Sequence, residues 1–418
     1  MSGPVDRAPI EERLAAAGLP PLPRMAWLEI SLDALAGNLA ALRLAAGPGV
    51  AVEPVVKADA YGHGAIPVAR ALQTAGADGL SVATLDEALE LRAAGIVLPV
   101  LVLYPVPAAW VAEAAARSIA VSLGSGAATA RILAAAASLP SGTPALAVHL
   151  EVETGLGRGG VLPEAAAETV SLIRRSRGVR LAGIWTHLSA ADNPHLTLLQ
   201  DERFGGAVAP LAGTADPDAA VRRHLAGSGG LLGADARRWD AIRAGLSTYG
   251  LIPDGLAVPQ ATSTAASGLR PVMRLCARPV RVMELPTGHG VSYGTAFTTE
   301  RPSRIATLPL GYADGWHRAL SNRAEALVRG VRVPLVGRVA MDAVMADVTD
   351  VPGAPVTEDD EFVLIGEQGA ERITAHEIAS AGGTISYEVV AGMSRRMPRV
   401  YDAAGLAVVV RTLMDSVS

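Results

Sequence analysis

The sequence predicts an α/β protein in which a (β/α)8 TIM barrel is followed by a mainly β C-terminal domain. Eight short apolar runs alternate with Ala-rich helical stretches between residue 51 and about residue 250, a pattern typical of such a barrel. Short β-like runs with Gly and Pro turns follow residue 269. The length of 418 residues also suggests two domains. A doubly wound sheet is the alternative, but the Gly-rich turn it would need after its first strand is missing.

The predicted elements begin with an N-terminal extension, residues 1–24, which we expect to be flexible apart from one short helix over residues 11–17. MAWLEIS at 25–31 is β-like and could join either domain. The barrel is expected over residues 25–265. Its eight predicted strands are AVEPVV (51–56), GLSVAT (79–84), LPVLVLY (98–104), SIAVSL (118–123), ALAVHLEV (145–152), LAGIWTHL (181–188), RRHLAG (222–227) and DAIRAG (240–245). Helix-like segments such as LDEALELRAAG (85–95) lie between them.

The C-terminal domain is expected over residues 266–418. Its predicted strands lie in MRLCARPVRVMELP, HGVSYGTAF, SRIATLPLGYAD, ALVRGVRVPLVGRVAMDAVMADVT and EFVLIG. Only ITAHEIASAGG (373–383) has a helical pattern in this half of the chain. The second domain is therefore predicted to be rich in β-structure.

Composition narrows the class of protein. The net charge of -5 argues against a general nucleic-acid binder, which would be basic. No run of 18 or more apolar residues predicts a membrane span, and the N-terminus lacks the basic start and apolar core of a signal peptide. One cysteine, Cys276, excludes an internal disulfide framework and a cysteine-based metal site. We expect a soluble cytoplasmic enzyme without a metal.

Lys57 is the only lysine in the chain, and the other 35 of the 36 basic residues are Arg. A guanidinium stays protonated in proteins, whereas a lysine amine can lose its proton and form a Schiff base. A single retained lysine is therefore a candidate for a covalent catalytic residue.

Polar residues follow several of the predicted barrel strands, at the end where active sites of such barrels lie. The first run ends at Lys57, the fifth contains Glu151 and is followed by Glu153 and Arg158, and the later runs lead to His187, Ser228, Arg243 and Gly245. An amine, a partner for a ring nitrogen and phosphate donors are what a phosphorylated aldehyde cofactor needs.

The chain resembles the alanine racemase family over residues 25–401, nearly its whole length. The resemblance rests on eight motifs in the family's order: VVKADAYGHG (55–64), VETGLGRGG (152–160), WTHLSAAD (185–192), IRAGLSTYGLIP (242–253), GVSYGTAF (290–297), LGYADGWHR (310–318), VGRVAMDAVMADVT (336–349) and ISYEVV (385–390). It implies pyridoxal 5'-phosphate as cofactor, a small amino acid as substrate, and a homodimer with shared active sites. It also implies D-alanine production for the bacterial wall.

The resemblance assigns two bases to opposite faces of the substrate Cα. Lys57 would bind the cofactor covalently and act on one face, and Tyr293 from the partner subunit would act on the other. Racemisation removes a proton from one face and delivers one to the opposite face, so two bases suit it. Free lysine and tyrosine both have pKa values near 10, and burial or cationic neighbours can change these values.

The remaining roles are also carried over from the family. Arg243 would donate to the pyridine nitrogen with support from His187, and Arg158 would contact the cofactor's phenolic oxygen and the substrate carboxylate. The N–H of Met341 would bind the same carboxylate. Apart from the family's scheme, we expect Tyr312 and Asp314, in GYADG, to line the entry path and Asp342 to orient the Met341 loop. The phosphate would be held by Tyr61, Ser228, Tyr387 and the backbone at Gly245 and Leu246.

Four positions depart from the family pattern, Glu151, Glu153, Gly227 and Ala340, and two of them bear on the site. Many relatives have a carbamylated lysine where this chain has Glu151, and the carbamate holds the arginine equivalent to Arg158. We expect the Glu151 carboxylate to replace that anion without CO2. Gly227 stands where relatives usually have Asn, which removes one side-chain hydrogen bond near the cofactor.

Three other functions stay open from the sequence. The same mechanism could act on serine or on a broader set of amino acids, because a methyl against a larger group is worth only ~1–3 kcal/mol in a pocket. A barrel decarboxylase with the same cofactor would need a catalytic cysteine in its C-terminal domain, and Cys276 lacks the surrounding signature. A non-catalytic cofactor carrier would lack a β-domain with Tyr293.

Overall fold

A computed structural model describes residues 7–124, 126–211, 221–233 and 237–416. Its contacts divide the chain into two compact units. The barrel unit comprises Leu35–Ala60 and Ala65–Arg270, and the β unit comprises Met1–Ala34, Tyr61–Gly64 and Pro271–Ser418. Among the described residues, no helix is both long and apolar enough to cross a membrane.

The helical segments alternate with strands through the first two thirds of the chain and become rare afterwards. In chain order they are α1 (Ile10–Ala16), α2 (Leu32–Ala46), α3 (Lys57–Tyr61), α4 (Ala65–Thr74), α5 (Leu85–Ala93), α6 (Val111–Ala116), α7 (Gly126–Ala137), α8 (Pro163–Arg175), α9 (Pro194–Val208), α10 (Ser228–Leu232), α11 (Gln260–Gly268), α12 (Ala375–Gly382) and α13 (Ser386–Ala391). Short 3-10 turns span Ala108–Trp110, Ala209–Leu211, Leu246–Tyr249, Tyr293–Thr295, Tyr312–Asp314, Arg318–Leu320 and Leu413–Ser416.

The strands are short, as expected where Gly and Pro turns interrupt apolar runs. They are β1 (Ala26–Ser31), β2 (Ala51–Val52), β3 (Leu80–Val82), β4 (Val100–Val102), β5 (Ile119–Leu123), β6 (Leu146–Glu151), β7 (Val179–Trp185), β8 (Arg222–His224), β9 (Ala241–Ile242), β10 (Met273–Ala277), β11 (Arg281–Leu285), β12 (Gly290–Val291), β13 (Phe297–Thr298), β14 (Ser303–Leu308), β15 (Glu325–Val328), β16 (Val331–Val336), β17 (Val344–Asp347), β18 (Phe362–Gln368), β19 (Glu371–Ile373), β20 (Arg399–Ala403) and β21 (Leu406–Arg411).

The barrel unit contains one parallel eight-stranded sheet in the order β2-β9-β8-β7-β6-β5-β4-β3. A parallel bridge between Val55 and Ser81 joins the continuation of β2 to β3 and closes the circuit. Each of the eight predicted runs overlaps one of these strands, so the barrel prediction is confirmed. Val52, Val121 and Val148 are fully buried, in keeping with strands covered on both faces.

The β unit contains a mostly antiparallel sheet in the order β11-β14-β17-β16-β15-β18-β10-β1-β20-β21, with β19 paired to β18. Strand β1 lies between β10 and β20, which settles the open question of MAWLEIS in favour of this sheet. A separate hairpin is formed by β12 and β13. The prediction of a single helical segment here was wrong, because α13 also forms; six residues are too few to show a helical period.

The described part of the N-terminal extension contacts the β unit. The short helix expected at residues 11–17 is α1, and its Ile10 and Leu14 are buried. Arg13 donates to Glu29 at 2.7 Å and to Asp402 at 2.9 Å. These contacts hold the helix in place within the β unit. The flexibility expected for the rest of residues 1–24 stays a prediction, and residues 1–6 lie outside the described residues.

Candidate active site

Lys57 begins α3, a left-handed turn made without glycine. Residues 58–61 have φ between 51° and 55°, and the Ala60 N–H donates to the Val56 carbonyl at 2.9 Å. Each non-glycine residue in this conformation costs roughly 1–2 kcal/mol. The turn is therefore strained, and contacts from neighbouring elements must hold it. Asp59 accepts from the N–H of Ala65 at 2.8 Å and so connects the turn to the start of α4.

The amine of Lys57 is half-buried, and its pKa is lowered. Burial is the largest cause, followed by the positive charge of Arg158, with a smaller contribution from Arg243. The Glu87 carboxylate opposes these effects and raises the pKa. A lowered pKa increases the fraction of free amine near neutral pH, which is the state that a nucleophile or a general base requires.

Arg243 lies buried at the end of β9 and donates in several directions. Its Nη1 lies 2.5 Å from His224 Nδ1, and its Nη2 donates to the Thr186 carbonyl at 2.7 Å. Its guanidinium carbon lies 4.8 Å from the centre of the Trp185 ring. Burial lowers the Arg243 pKa to about 10, so the group remains a cation at neutral pH.

A second histidine extends this network. His224 Nε2 lies 2.9 Å from His149 Nδ1. Because arginine only donates, His224 Nδ1 accepts from Arg243, so neutral His224 carries its proton on Nε2 and donates it to His149. Burial lowers the pKa of His149 to about 3 and that of His224 well below its ordinary value, so both rings are neutral.

The ring that contacts Arg243 is therefore His224, whereas the sequence interpretation gave this supporting role to His187. Burial, and then the charges of Arg243 and Arg158, lower the pKa of His187 to about 3. His187 is therefore neutral, and the positive charges of both arginines act on it. Sequence reasoning missed His224 and His149. The signal available was strand alternation, since His149 is two residues before Glu151 and shares its face of β6.

Arg158 lies between a carboxylate and an aromatic ring. Its Nη2 is 4.0 Å from Glu151 Oε1, and its guanidinium carbon is 5.7 Å from the centre of the Tyr104 ring. The ion pair is loose, and burial raises the pKa of Glu151 more than Arg158 lowers it. Glu153 accepts from the N–H groups of Gly155 and Gly157, at 2.5 Å and 2.8 Å, and so holds the loop that carries Arg158.

Backbone amides converge beside Ser228. The Ser228 hydroxyl accepts from the N–H of Ser247 at 3.1 Å, which brings the start of α10 next to the Leu246–Tyr249 turn. Ser228 and Leu246 are buried. Hydroxyl and N–H donors at adjacent helix starts favour an anion. Gly227 has ordinary φ, and an added Cβ would meet nothing closer than 3.5 Å, so neither the backbone nor the space for a Cβ requires glycine there.

The β unit holds the two predicted tyrosines of the phosphate site near each other. The Tyr61 and Tyr387 ring centres are 6.3 Å apart, and burial raises the pKa of Tyr61. The residue after Tyr61, Gly62, has φ of +78°, and an added Cβ would clash with the Val390 carbonyl. Its own carbonyl accepts from Arg399 at 3.0 Å.

Tyr293, Met341 and Tyr312 are exposed side chains of the β unit. Tyr293 is 71 % exposed at the tip of the β12–β13 hairpin, between Ser292 and Gly294, which both have φ of +63°. The N–H groups of Tyr312 and Ala313 donate to the carbonyls of Ala340 and Met341, at 3.0 Å and 3.1 Å. The turn at Tyr312 and the loop at Met341 are therefore joined by two backbone hydrogen bonds.

Asp342 is paired with Arg396, which also donates to Asp314 at 2.7 Å. This pairing ties the Met341 loop to the Tyr312–Asp314 turn. The N–H of Met341 makes no hydrogen bond within the part of the chain that the structure describes. It is thus available to an external acceptor.

The structure brings the predicted residues together in groups. Within the barrel unit, Lys57, Arg158, Arg243 and His187 interact electrostatically, and Ser228 lies beside the 245–247 backbone. Within the β unit, Tyr61 lies near Tyr387 and the Tyr312 turn contacts the Met341 loop. The barrel set offers an amine, two cations and anion-binding amides.

Known proteins match nearly the whole chain. The sequence model described as alanine racemase, N-terminal domain, matches residues 30–253, and the one described as alanine racemase, C-terminal domain, matches residues 272–401. Alanine racemase of Desulfovibrio desulfuricans is 41% identical over 90% of this chain and 98% of its own length. That of Symbiobacterium thermophilum is 42% identical over 90% of this chain and 97% of its own. The crystal structure of alanine racemase from Bacillus anthracis with bound L-Ala-P superposes with a TM-score of 0.83, at 32% identity, and covers 95% of this chain and 100% of that one.

Proposed function

Since the chain belongs to the alanine racemase family, we propose that it interconverts L-alanine and D-alanine with pyridoxal phosphate as cofactor and two catalytic bases. The chain is an isomerase of amino acids by this membership. The bases are Lys57 and Tyr293 of the partner subunit. The observation that carries the proposal is the sole lysine, which follows the first barrel strand and whose pKa is lowered by burial and by the charges of Arg158 and Arg243.

The residues present fit pyridoxal phosphate. Lys57 offers the amine for its aldehyde, and Arg243 offers a donor for its ring nitrogen. Ser228 and the backbone amides of Gly245 and Leu246 suit its phosphate, together with Tyr61 and Tyr387 in the family's scheme. When bound, the cofactor would supply an electron-withdrawing ring that acidifies the Cα–H bond of the amino acid.

Arg243 and the two neutral histidines behind it limit how strongly that ring withdraws electrons. Arg243 can donate a hydrogen bond to the ring nitrogen but does not give up its proton. His224 accepts from Arg243, and its own proton is committed to His149. No group in this chain of three residues is an acid that could protonate the ring. We infer that the arrangement favours simple proton exchange at Cα over competing reactions.

The chain's own groups then orient the substrate and move its proton. Arg158 binds the substrate carboxylate, with the Met341 N–H as a second donor, and the Glu151 carboxylate and the Tyr104 ring hold Arg158. The Lys57 amine takes the Cα proton on one face, and the Tyr293 hydroxyl delivers a proton on the other. The reverse direction exchanges their roles. Tyr312 lines the entry path.

A homodimer completes this scheme, because Tyr293, Met341 and Tyr312 are supplied to the partner's active site. All three side chains are exposed on the β unit, so they are accessible to a second copy of the chain. In the cell we propose that the enzyme works in the cytoplasm and supplies D-alanine for peptidoglycan, as expected for the family.

A chiral assay tests the function. Purified protein, pyridoxal phosphate and single L-amino acids are incubated, and the D-isomers are separated by chiral chromatography. Alanine should be racemised fastest, and D- and L-alanine should approach equal concentrations from either side. Preference for serine or a larger amino acid would replace the substrate assignment, and no turnover of any amino acid would refute the proposal.

A further inference from the structure

Both backbone amides that flank Lys57 are tied to the next βα unit of the barrel. On one side, the N–H of Val56 donates to the Ser81 carbonyl at 2.8 Å. On the other side, the N–H of Ala58 donates to Glu87 Oε1 at 2.6 Å. Ser81 lies in β3 and Glu87 in the first turn of α5. One side chain, Glu87, therefore fixes the first residue of the left-handed turn.

The second oxygen of Glu87 is used as well. Oε2 accepts from the N–H of Ala83 at 2.8 Å and from that of Thr84 at 3.2 Å. Glu87 is the third residue of α5 and Thr84 is its N-cap, so this is the backbone half of a capping box. The carboxylate thus bridges the left-handed turn and the start of α5, with one oxygen on each.

We propose that Glu87 is a positioning residue for Lys57, which holds the strained left-handed turn against α5 and so fixes the backbone from which the catalytic amine extends. The proposal rests on the proposed function of Lys57 and deepens it. The turn cannot rely on glycine, because residues 58–61 are Ala, Asp, Ala and Tyr. A charge-assisted hydrogen bond to its first N–H is a strong contact at the point where the left-handed region begins.

Electrostatics supports the same assignment. The charged groups that act on the Lys57 amine are Arg158 and Arg243, which lower its pKa, and Glu87, which raises it. Lys57 in turn lowers the pKa of His187, which is neutral. Glu87 is the only carboxylate in this set. It therefore opposes the arginines, and its removal should lower the pKa of Lys57 further.

Two variants of Glu87 separate its length from its charge. Glu87→Gln keeps the length, but its amide has only one acceptor oxygen, so it can satisfy one end of the bridge, and it removes the charge. Glu87→Asp keeps the charge but is one methylene too short to reach both ends. Asp86→Asn is the matched control, because Asp86 is an exposed carboxylate in the same first helical turn.

Turnover and the pKa of Lys57 are measured separately. Reductive methylation with 13C-formaldehyde is carried out on protein freed of pyridoxal phosphate, so that the cofactor's aldehyde does not block the amine. It labels Lys57, the only lysine of the sequence, and the pH dependence of the NMR signal gives the pKa. Lys57→Arg identifies that signal against the N-terminal amine. This measurement needs no racemase activity, so it tests Glu87 even if the proposed function fails.

We expect kcat to fall roughly 10- to 100-fold in both Glu87 variants, since small misplacement of a reacting group has effects of this size, with little change in KM. The Lys57 pKa should fall in Glu87→Gln and stay closer to the wild-type value in Glu87→Asp. Asp86→Asn should resemble the wild type in both. Wild-type turnover and an unchanged Lys57 pKa in Glu87→Gln would overturn the proposal. Equal losses of turnover and thermal stability in Asp86→Asn and Glu87→Gln, with the pKa unchanged, would also overturn it.

Discussion

Glu151 is expected to hold Arg158 directly, without CO2, and replacing it should weaken the binding of the substrate carboxylate. The closest approach between the two charged groups is 4.0 Å. Two unit charges at this distance attract by about 4 kcal/mol at an effective dielectric constant of about 20. Arg158 is 40% exposed, so water screens it, and the net effect should be nearer 1 kcal/mol.

Glu151→Gln removes the charge and preserves the shape of the side chain. A loss of about 1 kcal/mol corresponds to a roughly 5-fold lower kcat/KM for alanine, mostly through a higher KM. The assay follows D-alanine formation across a range of L-alanine concentrations. Glu164→Gln, on the first turn of α8, is the control for loss of a carboxylate elsewhere. Kinetics of Glu151→Gln equal to those of the wild type would refute the reasoning.

Glu151→Lys adds a second test of the same idea. An uncharged or cationic amine at this position cannot attract Arg158, so kcat/KM should fall further than in Glu151→Gln. Bicarbonate should restore part of the activity if the new lysine is carbamylated, because the carbamate is again an anion. The wild type should not respond to bicarbonate. A wild-type enzyme that loses activity when CO2 is removed would contradict a CO2-independent role for Glu151.

Three further predictions each concern one residue and the groups that it contacts. The Tyr104 ring faces the Arg158 cation, so Tyr104→Phe should keep the wild-type KM for alanine, whereas Tyr104→Leu should raise it about 2- to 5-fold, as expected for a partly exposed cation–π contact. Burial alone would raise the pKa of Glu29, but Arg274, Arg13 and Arg7 lower it to about 2. Its ion pairs therefore stabilise the fold at pH values above its ordinary pKa of 4.5, and this contribution is lost as the pH falls towards 2. Denaturant titrations over this pH interval should show that the free energy of unfolding of Glu29→Gln decreases less than that of the wild type. Gly62→Ala should lower the melting temperature strongly, because φ is +78° and the new Cβ would clash with the Val390 carbonyl; a melting temperature equal to that of the wild type would be inconsistent with this backbone.

The barrel could be predicted from the sequence because most of its parallel strands lie in apolar runs that are bounded by turns and alternate with Ala-rich helical segments; β8, Arg222–His224, is a polar exception. The residues that follow the strand ends then indicated Lys57, Arg158 and Arg243 as candidate site residues. The left-handed turn at residues 58–61 could not be predicted, because Ala-Asp-Ala-Tyr has no preference for positive φ and the conformation depends on contacts from elsewhere. Helix α13 was missed since one and a half turns carry no clear period.

The partners of the site residues were the harder part. Glu87 and Tyr104 are distant in sequence from the groups they contact, and neither belongs to a motif that suggested a role. His224 was overlooked in favour of His187; His224 ends β8, whereas His187 lies two residues beyond the end of β7. Contacts of this kind depend on which side chains the closed barrel brings together, and a single sequence does not specify those distances.

The most direct test of the central claim uses the single lysine. The protein is incubated with pyridoxal phosphate, reduced with borohydride, digested and analysed by mass spectrometry. The account predicts one pyridoxyl phosphate group, on Lys57 within VVKADAYGHG, together with loss of racemase activity. Label on the N-terminal amine alone, or full racemase activity after Lys57 is labelled, would contradict it.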